Sequence, residues 1–142
     1  MEQAAACTEA RVVRARRARA RVTYIDTSFL IRALVAGTAE DRRLRRWITA
    51  NEPLAMSAVA WAEFLCGPLG AADAAIASAI VGEATPLTAE HAATASALFN
   101  ASGRRRGTFI DCLVAASAVD ADASLATANP DDFARMPGVR LA

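Results

Sequence analysis

The chain has 142 residues, enough for one domain with a proper core, and 54% of them are hydrophobic against 6% aromatic, so its interior must be mostly Ala, Val, Leu and Ile. All 16 basic residues are Arg, which excludes every mechanism that needs a lysine amine, and the net charge of +1 hides an uneven split of about +4 over residues 1–106 and −3 over 107–142. Cys7, Cys66 and Cys112 show no C-x-x-C spacing, which argues against a disulfide framework and a zinc knuckle.

Residues 1–21 pass from an Ala-rich start into Arg11, Arg14, Arg16, Arg17, Arg19 and Arg21 with no consistent apolar face. They read as a flexible basic arm, either a contact for RNA or a solvated tail, and the folded unit is expected over 22–142. Val22 to Ile25 form a short strand that ends at Asp26. Thr27 or Ser28 is placed to cap a helix carrying Phe29, Leu30, Ile31, Ala33 and Leu34, which stops near Gly37. A charged helix follows over about 39–50, with Leu44, Trp47 and Ile48 as its apolar stripe and Arg42, Arg43, Arg45 and Arg46 on its wet face.

Pro53 to Met56 read as a second strand, and Ser57 as the cap of a helix through Trp61, Glu63, Phe64 and Leu65 that Gly67-Pro68 ends. After an Ala-rich helix at about 70–82, Thr85 to Leu87 form a third, weak strand. Thr88 caps a helix running to Gly103, with His91 on its surface. Thr108 opens the helix from Ile110 to Val119, Ala123 to Thr127 form a fourth strand, and Val139 to Leu141 a last one. Cys66 and Cys112 lie in apolar runs and read as buried small hydrophobes. No uncharged apolar run approaches about 18 residues and no signal-peptide core is present, so a cytoplasmic location is expected.

Strands alternating with helices predict an α/β fold with a doubly wound, mostly parallel sheet. In such sheets ligands sit outside the carboxyl ends of the strands, near the point where strand order reverses. Asp26 ends the first strand, and the loop from Asn129 to Asp132 follows the fourth. Asp111, near the start of one helix, and Glu63, two turns into another, can reach the same edge. Clustered carboxylates repel each other unless a cation joins them, and a hard divalent ion takes one or two carboxylates, waters and phosphate oxygens. Such a site activates water for in-line attack on a phosphodiester and needs no His, Cys or Lys.

Each acid also has a structural reading. Asp26 can cap the helix after it, Asp111 can close a Thr-x-x-Asp capping box with Thr108, and Asp131 or Asp132 can start a helical turn. Glu63 differs, because it stands among Trp61, Phe64 and Leu65, where a charge is costly unless paired or on a metal.

Val22 to Ser28 resembles the opening strand of PIN-domain proteins, and Ser57-Ala58-Val59-Ala60-Trp61-Ala62-Glu63-Phe64 resembles their second signature. Phe109-Ile110-Asp111-Cys112-Leu113-Val114-Ala115-Ala116-Ser117-Ala118 looks like the third, and Thr127-Ala128-Asn129-Pro130-Asp131-Asp132-Phe133 like the fourth. Order and spacing are most similar to VapC toxins, the ribonuclease halves of bacterial toxin–antitoxin pairs. The resemblance implies a three-layer fold with a central, mostly parallel sheet of about four or five strands flanked by helices. It also implies an endoribonuclease dependent on Mg²⁺ or Mn²⁺, dimeric or assembled with its antitoxin, acting on RNA.

Carried over, Asp26 and Asp111 are direct metal ligands, and Glu63 is a ligand or holds the attacking water. The fourth family position is commonly Asp and here is Asn129, so Asp131 or Asp132 is expected to complete the catalytic set, with Asp132 favoured. Thr27 and Ser28 are candidates for orienting Asp26 or for meeting substrate, and Thr127 for a similar orienting role. Arg104, Arg105 and Arg106 are candidates for holding RNA phosphates. Receiver domains and aspartate-nucleophile phosphatases resemble one another in requiring a lysine, which this chain lacks. The competing reading is a catalytically impaired PIN-like module that binds RNA or a protein partner without cleavage, and Asn129 is the feature in its favour.

Overall fold

The computed structural model describes residues 21–142. The basic arm expected over 1–21 therefore lies, Arg21 apart, outside the described residues. In chain order the elements are β1 (Thr23–Ile25), α1 (Thr27–Ala33), α2 (Ala39–Thr49), β2 (Leu54–Ala55), α3 (Ala58–Leu65), α4 (Ala71–Val81), α5 (Ala89–Ala101), α6 (Phe109–Asp120) and β3 (Ser124–Ala126). A 3₁₀ turn, Pro130–Asp132, follows β3.

The sheet has strand order β2-β1-β3, every pair parallel, with Thr23 opposite Leu54 on one side and Ser124 on the other. Among the described residues three strands form where four or five were expected. The two others survive as single parallel bridges, Ser57 to Thr85 and Leu125 to Leu141. Pro86 explains the first reduction, since it has no amide to donate to a ladder and restricts Thr85 before it. The order across the sheet is therefore Thr85, β2, β1, β3, Leu141. The chain moves outward from β1 to Thr85 and then returns to the other side of β1, so strand order reverses between β1 and β3.

The core that fixes this arrangement is aliphatic with a few aromatic anchors. Ile25, Phe29, Leu30, Met56, Phe64, Cys112 and Leu125 are fully buried. Phe29 stacks on Trp47 at 5.4 Å between ring centroids, which joins α1 to α2. Arg43 is not simply on the wet face of α2, because its guanidinium lies 4.9 Å from the Trp47 centroid and 5.7 Å from that of Phe29. α6 packs along α5 and touches β1 and β3, which carries its first turn to the carboxyl edge of the sheet. Among the described residues no helix is long and apolar enough to cross a membrane.

Helix starts follow side-chain chemistry, with some reassignments. Ser57 caps α3 as expected, accepting from the Ala60 amide at 3.1 Å. The cap of α1 is Asp26 and not Thr27 or Ser28, its Oδ1 accepting from the Phe29 amide at 2.8 Å. His91 is buried and not on the surface: Thr88 Oγ1 accepts from its amide at 3.1 Å while its Nδ1 accepts from the Thr88 amide at 3.3 Å. The His side chain thus completes a reciprocal capping box that a Glu or Gln more often closes. Cys112 is buried as expected, but Cys66 is exposed because it stands past the end of α3.

Thr108 makes no cap bond with α6, and its hydroxyl instead donates to the Arg105 carbonyl at 2.7 Å. Thr88→Ala is therefore expected to cost about 1 kcal/mol of stability, and Thr108→Ala less than half as much. Denaturant midpoints of the two variants check this, and equal losses would contradict the assignment.

Candidate active site

A cleft of ≈ 230 Å³ opens at the carboxyl ends of β1 and β3, where strand order reverses. Asp26, Thr27, Ser28, Glu63, Asp111, Asn129 and Asp132 line it, with Ile31, Val114 and Phe133 as its apolar wall. Four segments far apart in sequence thus bring four carboxylates to one place.

Asp26 follows β1 directly, and its amide donates to the Ala126 carbonyl at 3.0 Å, so the ladder itself sets its position. Its side chain is buried, and Oδ1 accepts from both the Phe29 amide and the Ser28 hydroxyl, each at 2.8 Å. Ser28 Oγ also accepts from the Ala128 amide at 3.0 Å and lies 3.2 Å from Thr127 Oγ1. Thr127 in turn accepts from the Asn129 amide at 3.0 Å. The Thr27 hydroxyl points at the Ala60 carbonyl, 2.9 Å away, and at Glu63 Oε2, 3.2 Å away. Thr27 and Ser28 are therefore committed to protein partners: one ties α1 to α3, the other ties it to the loop after β3.

Asp111 stands in the first turn of α6, half-buried, and is released from the capping box because Thr108 turns to Arg105. Burial, followed by the charges of Asp132, Glu63 and Asp26, pushes its pKa up from 3.8 to about 6. Burial also raises Asp26, opposed by hydrogen bonding from Thr127, the Phe29 amide and Ser28, with Asp132 adding to the rise. These shifts have one physical origin: carboxylates withdrawn from water and placed within one another's field.

Glu63 is exposed, so the expectation that its charge is buried in an apolar helix fails. The physical reason is that its face of α3 opens on the cleft instead of packing on the core. Phe64, one position on, and Ala60 are the residues that α3 buries.

In the fourth segment the 3₁₀ turn decides which acid reaches the cleft. With three residues per turn, positions 129 and 132 share a side, and the Asp132 amide donates to the Asn129 carbonyl at 3.2 Å. Asn129 and Asp132 both line the cleft, whereas Asp131 faces a neighbouring depression with Arg105 and Arg135. None of Arg104, Arg105 and Arg106 lines the cleft itself. Arg104 is engaged in its own loop, donating to Asn100 Oδ1 at 2.8 Å and lying 5.8 Å from the Phe99 centroid. Arg135 went unnoticed in the sequence, although its spacing of three from Asp132 after a Pro-initiated tight turn is the signal that points to it.

Every side-chain donor facing the cleft is an oxygen, apart from the Asn129 amide nitrogen, and that set suits a hard divalent cation such as Mg²⁺. Among the described residues no three Asp, Glu, His or Cys side chains converge closely enough to enclose a metal. That arrangement fits an ion held by one or two carboxylates, with Asp26 and Asp111 the most enclosed, and completed by water and substrate oxygens.

A family model described as PIN domain matches residues 23–139. The chain matches no curated protein by sequence. Among solved structures it is similar to VapBC2 from Rickettsia felis bound to a promoter DNA fragment, at 19% identity and a TM-score of 0.69, over 85% of this chain and 97% of that one. A toxin–antitoxin complex from Klebsiella pneumoniae is similar at 24% identity and a TM-score of 0.60, over 82% and 94% of the two chains. VapC20 of Mycobacterium tuberculosis, a toxin that cleaves the sarcin-ricin loop, is similar at 22% identity and a TM-score of 0.57, over 83% and 98%. At these identities the likeness concerns the fold.

The raised pKa of Asp111 has a consequence for stability. A carboxyl whose folded pKa lies above its unfolded value binds more protons in the folded state, so its contribution falls as pH rises from about 4 to about 6 and stays lost above that. In metal-free protein Asp111→Asn should therefore be more stable than wild type at pH 7, by on the order of 1 kcal/mol after solvent screening in an open cleft. The advantage should shrink towards pH 4. Urea unfolding of both proteins in EDTA across this range measures it; a difference that does not change with pH would remove the carboxylate crowding.

Proposed function

The chain belongs to the PIN-domain family, and from that membership we propose that it is the toxin half of a bacterial toxin–antitoxin pair, an endoribonuclease that hydrolyses RNA phosphodiester bonds with Mg²⁺, Mn²⁺ being able to substitute. The observation that carries this reading is the convergence of Asp26, Glu63, Asp111 and Asp132 on one cleft at the reversal point of the sheet. Residues 22–142 form the nuclease domain in this reading, and residues 1–21 a basic extension. The likeness to structures of a VapBC complex and a toxin–antitoxin complex supports an antitoxin as partner and a cytoplasmic site of action. The 50% exposed Ile31 on α1 and 57% exposed Val35 just past its end, with the 53% exposed Leu65 at the end of α3, supply apolar surface for a partner chain, whether a second copy in a homodimer or the antitoxin.

Asp26 and Asp111 would hold the cation, since they are the most enclosed acids and the two whose ionised forms most need a counter-charge. When bound, the cation would make a water acidic enough to give up a proton and so become a nucleophile for phosphorus, and would offset charge on the departing oxygen. Ser28 and Thr127 keep Asp26 in place through hydrogen bonds and need not touch substrate. Glu63, open to solvent and held by Thr27, would orient the attacking water. Asp132 would complete the acidic set in place of Asn129. A binding-only module is favoured by Asn129 alone, and the presence of Asp132 on the same side of the 3₁₀ turn weighs against it.

Cleavage of single-stranded or looped RNA is expected with Mg²⁺ or Mn²⁺ and none with EDTA. Asp26→Asn and Asp111→Asn should each reduce the rate by at least about a hundredfold, the scale of losing one transition-state contact, while their circular dichroism and unfolding midpoints remain those of folded protein. Cleavage that survives EDTA, or full activity in both variants, would sink the metal mechanism. Purification from the native host should yield a small companion protein, and its absence would count against the toxin assignment.

A further inference from the structure

Beside the acidic cleft lies a second, smaller depression, and Asp132 lines both. Two arginines, Arg105 and Arg135, stand at this depression with Ser102 and Thr108. Both are exposed, and among the described residues neither forms a salt bridge or a side-chain hydrogen bond, although Asp131 and Asp132 share the depression with them.

Both arginines stand on anchored backbone. Thr108 fixes Arg105 from below, its hydroxyl donating to the Arg105 carbonyl at 2.7 Å and its amide to the same oxygen at 3.2 Å. The loop that presents Arg105 is shaped by Gly103 at φ 94° and Gly107 at φ 82°, conformations that an L side chain disfavours. Arg135 lies between Phe133 and Met136, which are only 3% and 5% exposed, and the Met136 amide donates to the Phe133 carbonyl at 3.0 Å.

We infer that Arg105 and Arg135 form a phosphate clamp on the Asp132 side of the cleft, gripping the RNA backbone at the phosphate next to the one being cleaved. This rests on the ribonuclease reading and deepens it by placing the path of the strand. A polyanion entering a cleft lined by carboxylates is repelled except where a cation or guanidinium meets it, and two unpaired guanidinia adjoin this cleft. Arg presents a planar fork that matches two phosphate oxygens. The depression, ≈ 10 Å³, is too small to enclose a phosphate, so the grip comes from its rim and suits a backbone passing over it. The strand therefore leaves the cleft across the 3₁₀ turn towards the loop between α5 and α6.

The test uses the full chain with Asp111→Asn as a cleavage-blocked background, in MgCl₂, and a short single-stranded RNA whose binding is followed by fluorescence anisotropy across a salt series. Arg105→Ala and Arg135→Ala should each weaken binding and lower the slope of log affinity against log salt by about 0.7, the value for one single-strand phosphate contact released. Arg→Lys at either position should keep the slope while losing part of the affinity. In the otherwise wild-type enzyme the alanine variants should raise KM more than they lower kcat.

If wild type cleaves RNA but the alanine variants keep both slope and KM, the clamp is overturned and the nuclease reading stands. If they change the Mg²⁺ concentration needed for activity and leave the slope untouched, the arginines are internal counter-ions of Asp131 and Asp132, and the clamp is again overturned. RNA that wild type neither binds nor cleaves would overturn the nuclease reading and the clamp together.

Discussion

Mutual repulsion among Asp26, Glu63, Asp111 and Asp132 is the constraint to which the rest of the molecule answers. Ionised carboxylates at one edge of a sheet lower the stability of the fold that assembles them, so something stronger must hold each in place. In every case that is a buried neighbour in the chain. Ile25 precedes Asp26, Phe64 follows Glu63, Cys112 follows Asp111 and Phe133 follows Asp132, and none of the four is more than 3% exposed. Each acid is thus carried to the cleft by an apolar residue that the core cannot release without leaving a cavity, a loss of about 2–5 kcal/mol for a large side chain. That exceeds what crowding of partly solvated carboxylates takes away.

Position along the chain is not enough, because side chains that repel will swing apart where they can. The hydroxyls next to Asp26 remove that freedom. Ser28 donates to the carboxylate while accepting from Ala128, so one oxygen joins the end of β1 to the loop after β3. Thr27 does the corresponding work between α1 and α3, touching both the Ala60 carbonyl and Glu63. The cap of α1 belongs to the same device: because Asp26 serves as cap, its orientation is fixed by the helix it starts. Serving as a cap is compatible with the metal-ligand role proposed for Asp26, since the cap bonds fall on Oδ1 of the carboxylate.

This pairing of a buried anchor with a polar neighbour is why so much could be read from the sequence. Strand-then-acid at Ile25-Asp26 and the small apolar run before Thr127 were legible, and with them the reversal point of the sheet. Less legible were features that depend on which way an element faces. Glu63 looked buried because its neighbours are apolar, yet α3 buries Phe64 and turns Glu63 to the cleft, a rotation that eight residues of Ala-rich helix do not specify. His91 looked superficial because a lone imidazole on a polar helix has no sequence signature as a cap partner. The outer strands shrank to single bridges, one of them because Thr85 precedes a proline, which has no amide to extend a ladder.

The fourth segment shows how a tight turn selects which of several neighbouring acids reaches the cleft. Hydrogen bonds from Asp132 to Asn129, from Phe133 to Pro130 and from Met136 to Phe133 all span three residues. Along such a path residues three apart return to the same side, while Phe133 and Met136 are drawn into the core as its fixed points. Asn129 begins the path at the cleft with no charge, Asp132 restores the charge one turn on, and Arg135 follows one turn later at the adjoining depression. One short ribbon, pinned by two buried side chains, therefore places an acid at the cleft and an arginine at the depression that adjoins it. Although Asn129 brings no charge, the period of three sets Asp132 at the same cleft, so a negative charge stands there within the same turn.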